Sequence, residues 1–145
     1  EVEAQSYVDT VIEAGAVIVG RRTYEVLSEQ PEFQKFIEAK VKMVVLSNGE
    51  VELKDPIHKT ANTPQEAIEL LQDNEKVIIA GGAKANAAFM SMGLVDELFI
   101  DIEPAIVGQG MNLFEGLDFD ANLEFLGSRM LSDNEIQLHY RVIKS

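Results

Sequence analysis

This 145-residue chain contains no cysteine. Disulfides, thiolate zinc sites and cysteine nucleophiles are therefore excluded, and the expected setting is an intracellular, reducing one, the cytoplasm. Imidazole is nearly as scarce. Only His58 and His139 carry it, too few for a histidine-rich site, so no metal is expected. No apolar run approaches the ~20 residues of a membrane span, and the first residues lack the charged-then-apolar pattern of a signal peptide. Positive charge is the other shortage: 12 Lys and Arg stand against 25 Asp and Glu, for a net charge of −13. Such a surface repels nucleic acid and anionic membrane, and neither is an expected partner. The imbalance is also local. No Lys or Arg occurs between Lys84 and Arg129, where acids recur from Asp96 to Glu124. An anionic ligand would have to be gripped by the few cations beside glycine turns, and Arg21, Arg22 and Lys84 stand there.

The length fits one domain, residues 1–145, able to bury about two thirds of its unfolded surface. Helical periodicity marks residues 3–14, with Tyr7, Val8, Val11 and Ile12 on one face and Gly15 as the stop. Residues 16–19 form a short, wholly apolar strand ending at Gly20. Residues 22–39 read as helix interrupted near Pro31. A second apolar strand, 43–46, closes at Ser47-Asn48-Gly49, and a loop or short strand follows through Ile57 and His58. Thr63-Pro64-Gln65-Glu66 is a helix start: Thr63 caps, Pro64 fits the first helical position and Glu66 can reach back, in a helix to about Asp73. A third apolar strand, 77–80, meets Gly81-Gly82, and 83–92 reads as helix stopped by Gly93. Strands without polar alternation argue for a largely parallel sheet covered on both faces. Beyond Gly93 the pattern alternates. Strands are predicted over 97–103, 123–131 and 136–143, the last two joined by a hairpin turn at Ser132-Asp133-Asn134. The expectation is an α/β fold around one mixed sheet with antiparallel carboxyl-terminal strands.

A buried strand that passes through Gly81-Gly82 into a helix aims bare backbone N–H groups, and the positive end of a helix dipole, beyond the strand. Two readings of that turn are open, a phosphate cradle and a tight turn alone. Arg21 and Arg22 sharpen the choice. Cations at a helix start oppose its dipole, a conflict that a bound phosphate removes. Ser47 and Asn48 read as turn chemistry or as part of the same site. Asp96 and Glu97 are adjacent, and strand neighbours face opposite ways, so they read as a strand entry rather than an acid–base pair. His139 reads as a sheet-surface residue and His58 as a loop residue without an evident partner. Tyr24 and Phe89 read as core, with Met90 and Met92 filling gaps in it. Gly108 and Gly110 bracket a turn after Pro104, as loop geometry or as pocket lining.

Taken in order, Gly20-Arg21-Arg22-Thr23-Tyr24-Glu25, Leu46-Ser47-Asn48, Ala80-Gly81-Gly82-Ala83-Lys84, Gly93-Leu94-Val95-Asp96-Glu97-Leu98, Pro104, Gly108-Gln109-Gly110 and Leu113-Phe114 resemble the dihydrofolate reductase superfamily. Within it the chain most resembles the branch shared with the reductase domain of bifunctional riboflavin-biosynthesis proteins. The resemblance covers nearly the whole chain from about residue 3. It implies a three-layer α/β/α sandwich that binds NADPH across the carboxyl ends of its parallel strands and passes hydride to a pterin- or pyrimidine-like heterocycle. It places Gly20, Arg21, Arg22 and Thr23 on the cofactor's phosphates, Ser47 and Asn48 on the adenosine 2′-phosphate and ribose, and Ala80, Gly81, Gly82 and Ala83 at the pyrophosphate turn. Lys84 would add to the 2′-phosphate grip. A homodimer is also implied.

Two features depart from the pattern. The family has a leading strand and loop ahead of the helix at 3–14, central in the sheet, and this sequence begins without them. The expectation is a fragment, because an empty central slot would leave two unpaired strand edges. Ala80 stands where riboflavin-pathway reductases tend to carry a glutamate that meets substrate, which favours the broader reductase group over the reductase of 5-amino-6-(5-phosphoribosylamino)uracil. Glu1 or Glu3 falls near the carboxylate that orients the pterin in dihydrofolate reductases; a helix-start acid favoured by the dipole is the competing reading, and the catalytic proton donor stays unassigned. Two other classes remain open: a dinucleotide-binding domain without turnover, and a flavodoxin-like regulatory domain. The latter needs acids at its strand ends, where this chain has Gly20, Ser47 and Gly81.

Overall fold

The computed structural model of the chain describes residues 2–144. Two short strands form its centre. In β1 (Ala16–Gly20) and β2 (Lys42–Leu46), runs of β-branched and apolar residues pair in parallel, Ile18 beside Val44 and Gly20 beside Leu46. β3 (Lys59–Ala61) adds to the outer side of β2, and β4 (Ile78–Ile79) to the other side of β1. The order is β3-β2-β1-β4, all parallel. Successive side chains on β1 face opposite layers. Val17 and Val19 join Val8 and Val11 of α1 (Val2–Ala14), Tyr24 of α2 (Arg21–Leu27), and Phe33 and Phe36 of α3 (Glu32–Glu38). Ile18 and Val44 instead join Ala67 of α4 (Pro64–Leu70) and Phe89 of α5 (Ala83–Ser91). The sheet is therefore covered on both sides, as its lack of polar alternation requires.

The helix boundaries follow local chemistry. Pro31 separates α2 from α3, and Thr63 Oγ1 accepts from the Glu66 N–H at 3.1 Å to cap α4, which ends earlier than expected, at Leu70. Met90 is buried as expected, whereas Met92, at the C-cap of α5, is exposed because the helix has by then passed the edge of its core cluster.

The carboxyl-terminal strands β5 (Glu97–Ile102), β6 (Leu123–Met130) and β7 (Ile136–Val142) are antiparallel in the order β5-β7-β6, with a bulge between Phe125 and Gly127. The expected hairpin turn joins β6 to β7. Hydrogen bonding nevertheless divides the strands into two sheets rather than one mixed sheet. Among the described residues β4 pairs only with β1 and β5 only with β7, so each has one open edge. The halves are tied together elsewhere: Arg129 Nη2 donates to Ser6 Oγ of α1 at 2.9 Å, and Lys144 Nζ donates to the carbonyls of Gly93 and Val95 at 2.6 and 2.7 Å.

Candidate functional site

Parallel pairing brings three chain reversals to one rim. Gly20 ends β1 level with Leu46 of β2, so Arg21 and Ser47 leave neighbouring strand ends about one strand spacing, ~4.8 Å, apart. On the other side, Ala80 N–H donates to the Ile18 carbonyl at 2.9 Å and Gly20 N–H to the Gly81 carbonyl at 2.7 Å. These bonds carry the β1–β4 pairing past the strands into the glycine turn. Gly20, Ser47 and Gly82 thus share the carboxyl edge of one sheet.

The glycine turn is built around close backbone approach. The Gly81–Gly82 peptide is cis, and Gly81 has φ +104°, a backbone conformation that favours glycine. A Cβ on Gly82 would lie 3.2 Å from Thr23 Oγ1, and one on Gly20 would lie 3.6 Å from Gly82 N. The starts of α2 and α5 therefore sit back to back. Neither Gly20 nor Gly82 offers a side-chain cap, so the first N–H groups of α5 have no intrahelical or capping partner. Arg21 and Arg22 are exposed and Thr23 half-buried. Among the described residues, Arg21, Arg22 and Lys84 form no salt bridge. In a chain of net charge −13, three such cations beside bare N–H groups suit a polyanion such as a dinucleotide's phosphates. α2 is only seven residues long, so its contribution is carried by side chains, with the longer α5 supplying the helix end.

Not every expected residue converges there. Ser47 Oγ accepts from Gly49 N–H at 3.1 Å, which closes the local turn and leaves Asn48 as the exposed polar group of that segment. Ala80 has its N–H engaged with Ile18 and its methyl packed against the core on the α1 and α3 side. Lys84 Cγ lies beside Gly116, 3.8 Å from where a Cβ on that glycine would stand. The 113–116 segment folds over the α5 start: Asn86 Nδ2 donates to the Leu113 carbonyl at 3.0 Å, and Glu115 N–H to the Ala83 carbonyl at 3.1 Å. Gly108 and Gly110 stay exposed on the loop before it. Glu1 and the Glu3 side chain lie outside the described residues. Two open hollows, one lined by residues 117–120 and one between α1 and residues 129–131, are bordered by none of the expected site residues.

One buried polar group was not legible in the sequence. His58 is 2 % exposed, and its Nδ1 lies 2.8 Å from the hydroxyl of Tyr24, itself fully buried. That hydroxyl also accepts from Lys54 N–H at 2.9 Å. Having accepted one bond, the phenol keeps a proton that it can give to His58 Nδ1, and the bond takes that direction in the Nε2–H tautomer of the ring. Burial lowers the His58 pKa below its usual 6.5, with Asp55 opposing, and burial likewise raises that of Tyr24. The spacing of 34 residues between the partners carries no local signal. His139, by contrast, stands on the sheet surface as expected, paired with Glu97 and stacked on Phe99 with ring centroids 4.1 Å apart.

The chain is 23% identical over 146 residues to YyaP of Bacillus subtilis, an uncharacterized protein, covering 92% of this chain and 77% of that one. Among solved structures it is similar to a protein of Shewanella sp. PV-4, with a TM-score of 0.74, 22% identity and coverage of 93% and 78%. It is also similar to a pyrimidine reductase-like protein of Corynebacterium diphtheriae, with a TM-score of 0.69, 18% identity and coverage of 98% and 81%. No helix among the described residues is long and apolar enough to cross a membrane. The family model of the RibD C-terminal domain matches residues 1–137; with the glycine turns on one sheet edge and the dihydrofolate reductase-like fold of its neighbours, the chain belongs to the RibD C-terminal domain family of reductases.

Proposed function

We propose that the protein is an NADPH-dependent reductase that transfers hydride to a pterin- or pyrimidine-like heterocycle. The observation that carries this reading is the shared rim: Gly20, Ser47 and Gly82 at the carboxyl ends of three adjacent parallel strands, with the α2 and α5 starts in contact. A ligand bound there meets glycine backbone at close range and cations free of salt bridges, the combination that recognises linked phosphates. Arg21, Arg22 and Thr23 hold the phosphates, the α5 N–H groups after Gly82 take the pyrophosphate, and Asn48 reaches the adenosine end. NADPH supplies the hydride when bound; the protein's share is to bind, orient and exclude water. A heterocyclic substrate fits the family and the pyrimidine reductase-like neighbour.

Ala80 favours a second reading, a dinucleotide-binding domain without turnover. Its methyl stands where the riboflavin-pathway enzymes tend to hold a substrate-binding glutamate, and it also counts against that particular substrate. Titration of the protein with NADPH and NADH, followed by the nicotinamide absorbance after addition of pterins and pyrimidines, separates the readings. NADPH binding with oxidation is expected. NADPH binding without oxidation across all substrates would favour the silent domain, and binding of neither cofactor would overturn both.

A further inference from the structure

We infer that Tyr24 and His58 are positioning residues, a buried latch that fixes the segment after β2 against the start of α2 and so sets the spacing between Arg21–Thr23 and Ser47–Asn48. The inference rests on the dinucleotide reading above and extends it to the 2′-phosphate. The two rim segments leave neighbouring strands; β1–β2 pairing fixes them up to Gly20 and Leu46, and backbone bonds from Gly20 N–H to the Gly81 carbonyl and from Ser47 N–H to the Ala61 carbonyl, at 2.7 and 2.9 Å, hold the strand ends. Past that point the chain after β2 runs without regular structure to β3. Tyr24 follows Thr23 directly, and its hydroxyl receives the Lys54 N–H and engages His58 Nδ1, at 2.9 and 2.8 Å. Phe33 of α3 closes the arrangement edge-on, with ring centroids 5.8 Å from both Tyr24 and His58. The segment is thus pinned at two points, Lys54 and His58, to one atom of α2.

The arrangement is poor as simple filling. Among the described residues His58 Nε2 is buried with no hydrogen-bond partner, and a buried polar atom without a partner is costly, whereas apolar side chains of similar shape would leave no such atom. What the polar pair adds over apolar packing is a fixed position. Hydrogen bonds specify where Lys54 N–H and His58 lie relative to Tyr24, and packing alone does so less sharply. A two-sided grip on one phosphate depends on that spacing, because a charge-assisted hydrogen bond weakens steeply with misplacement.

The test is isothermal titration of wild type, Tyr24→Phe, His58→Gln, His58→Leu and Arg21→Ala with NADPH, NADH, 2′,5′-ADP and 5′-AMP. Tyr24→Phe and His58→Leu are expected to weaken NADPH and 2′,5′-ADP by about tenfold, the equivalent of one lost hydrogen bond. NADH and 5′-AMP should change less than about twofold, and His58→Gln, which keeps an acceptor, should restore most of the loss. Melting curves identify any variant that does not fold, and the two His58 variants then decide between themselves. Equal weakening of phosphorylated and unphosphorylated ligands, or no weakening while Arg21→Ala still removes the preference for NADPH, would overturn the latch and leave the reductase reading intact. Wild type that binds none of the four ligands would overturn that reading and the latch with it.

Discussion

The two sheets of this protein are built on opposite terms. In the parallel one, Val17, Ile18, Val19, Met43 and Val45 are wholly buried, and neither face of the central strands meets water. In the antiparallel one, one face carries Leu98, Ile100 and Ile102 opposite Tyr140, Leu138 and Ile136, and the other carries Glu97, Phe99 and Asp101 opposite Arg141, His139 and Gln137. Several apolar residues there, Phe125 and Met130 among them, remain more than half exposed. The first sheet is held by burial on both sides, and the second by its ladder and one partly covered face. Stability and the candidate site thus share one half of the molecule, and the glycine rim inherits the rigidity of the buried strands beneath it.

The largest test of that difference is a matched truncation. Ile18→Ala empties space between two packed layers and is expected to destabilise the fold by about 2–5 kcal/mol, while Ile102→Ala, on a side chain 48% exposed, should cost less than about 1 kcal/mol. Urea denaturation of both variants measures it. Equal losses would mean that the antiparallel sheet is as tightly packed as the parallel one.

Next in size is the glycine rim. Gly81→Ala is expected to lose about 1–3 kcal/mol, because φ +104° strains any side chain. Gly82→Ala should lose less, since only Thr23 Oγ1, at 3.2 Å, has to give. Gly20→Ala meets its neighbours at ordinary distances, 3.6 Å or more, and should be the mildest. Thermal unfolding of the three variants checks the order. The reverse order would place the strain somewhere other than the turn.

These contrasts also mark what could be read from sequence. Apolar runs at 16–19 and 43–46 identified strands buried on both faces because the pattern is local and the chemistry unambiguous. The Thr63 cap, the break at Pro31 and the hairpin at 132–134 were legible for the same reason. The glycine turns were visible, but their contact was not, since the Gly20–Gly81 bond joins segments 61 positions apart by way of parallel pairing. Strand β3 begins one residue beyond the predicted stretch, with only Ala61 buried. The division into two sheets depends on which edges meet, and no residue pattern within β4 or β5 encodes an unpaired edge. His58 illustrates the limit most clearly: a histidine among loop residues acquires its meaning from a phenol on another element.

That histidine gives the parallel half a pH dependence. Its pKa is lowered in the fold because burial disfavours the charged ring, with Asp55 opposing. Below pH 6.5 the unfolded chain therefore binds a proton that the folded chain resists. The contribution is complete above about 6.5 and is lost as pH falls from there through the folded pKa. The gap in urea midpoint between wild type and His58→Gln should narrow as pH drops from 7.5 toward 5.5. A gap that stays constant would mean that the ring does not titrate differently in the two states.

The smallest expected effect lies on the charged face of the antiparallel sheet. Arg141 Nη1 and Glu124 Oε1 sit 3.2 Å apart on neighbouring strands, both side chains slightly more than half exposed. Water screens such a pair, and holding two long side chains in one geometry costs entropy, so a double-mutant cycle through Arg141→Ala and Glu124→Ala should give a coupling of about 0.2–1 kcal/mol. Raised salt should reduce it further, because exposed charges are screened within a Debye length of about 10 Å at 0.1 M. A coupling above 2 kcal/mol that survived salt would require this face to be far drier than the exposure of its side chains allows. The antiparallel sheet would then be held by buried ion pairing, and its contrast with the apolar parallel half would be one of chemistry rather than of burial.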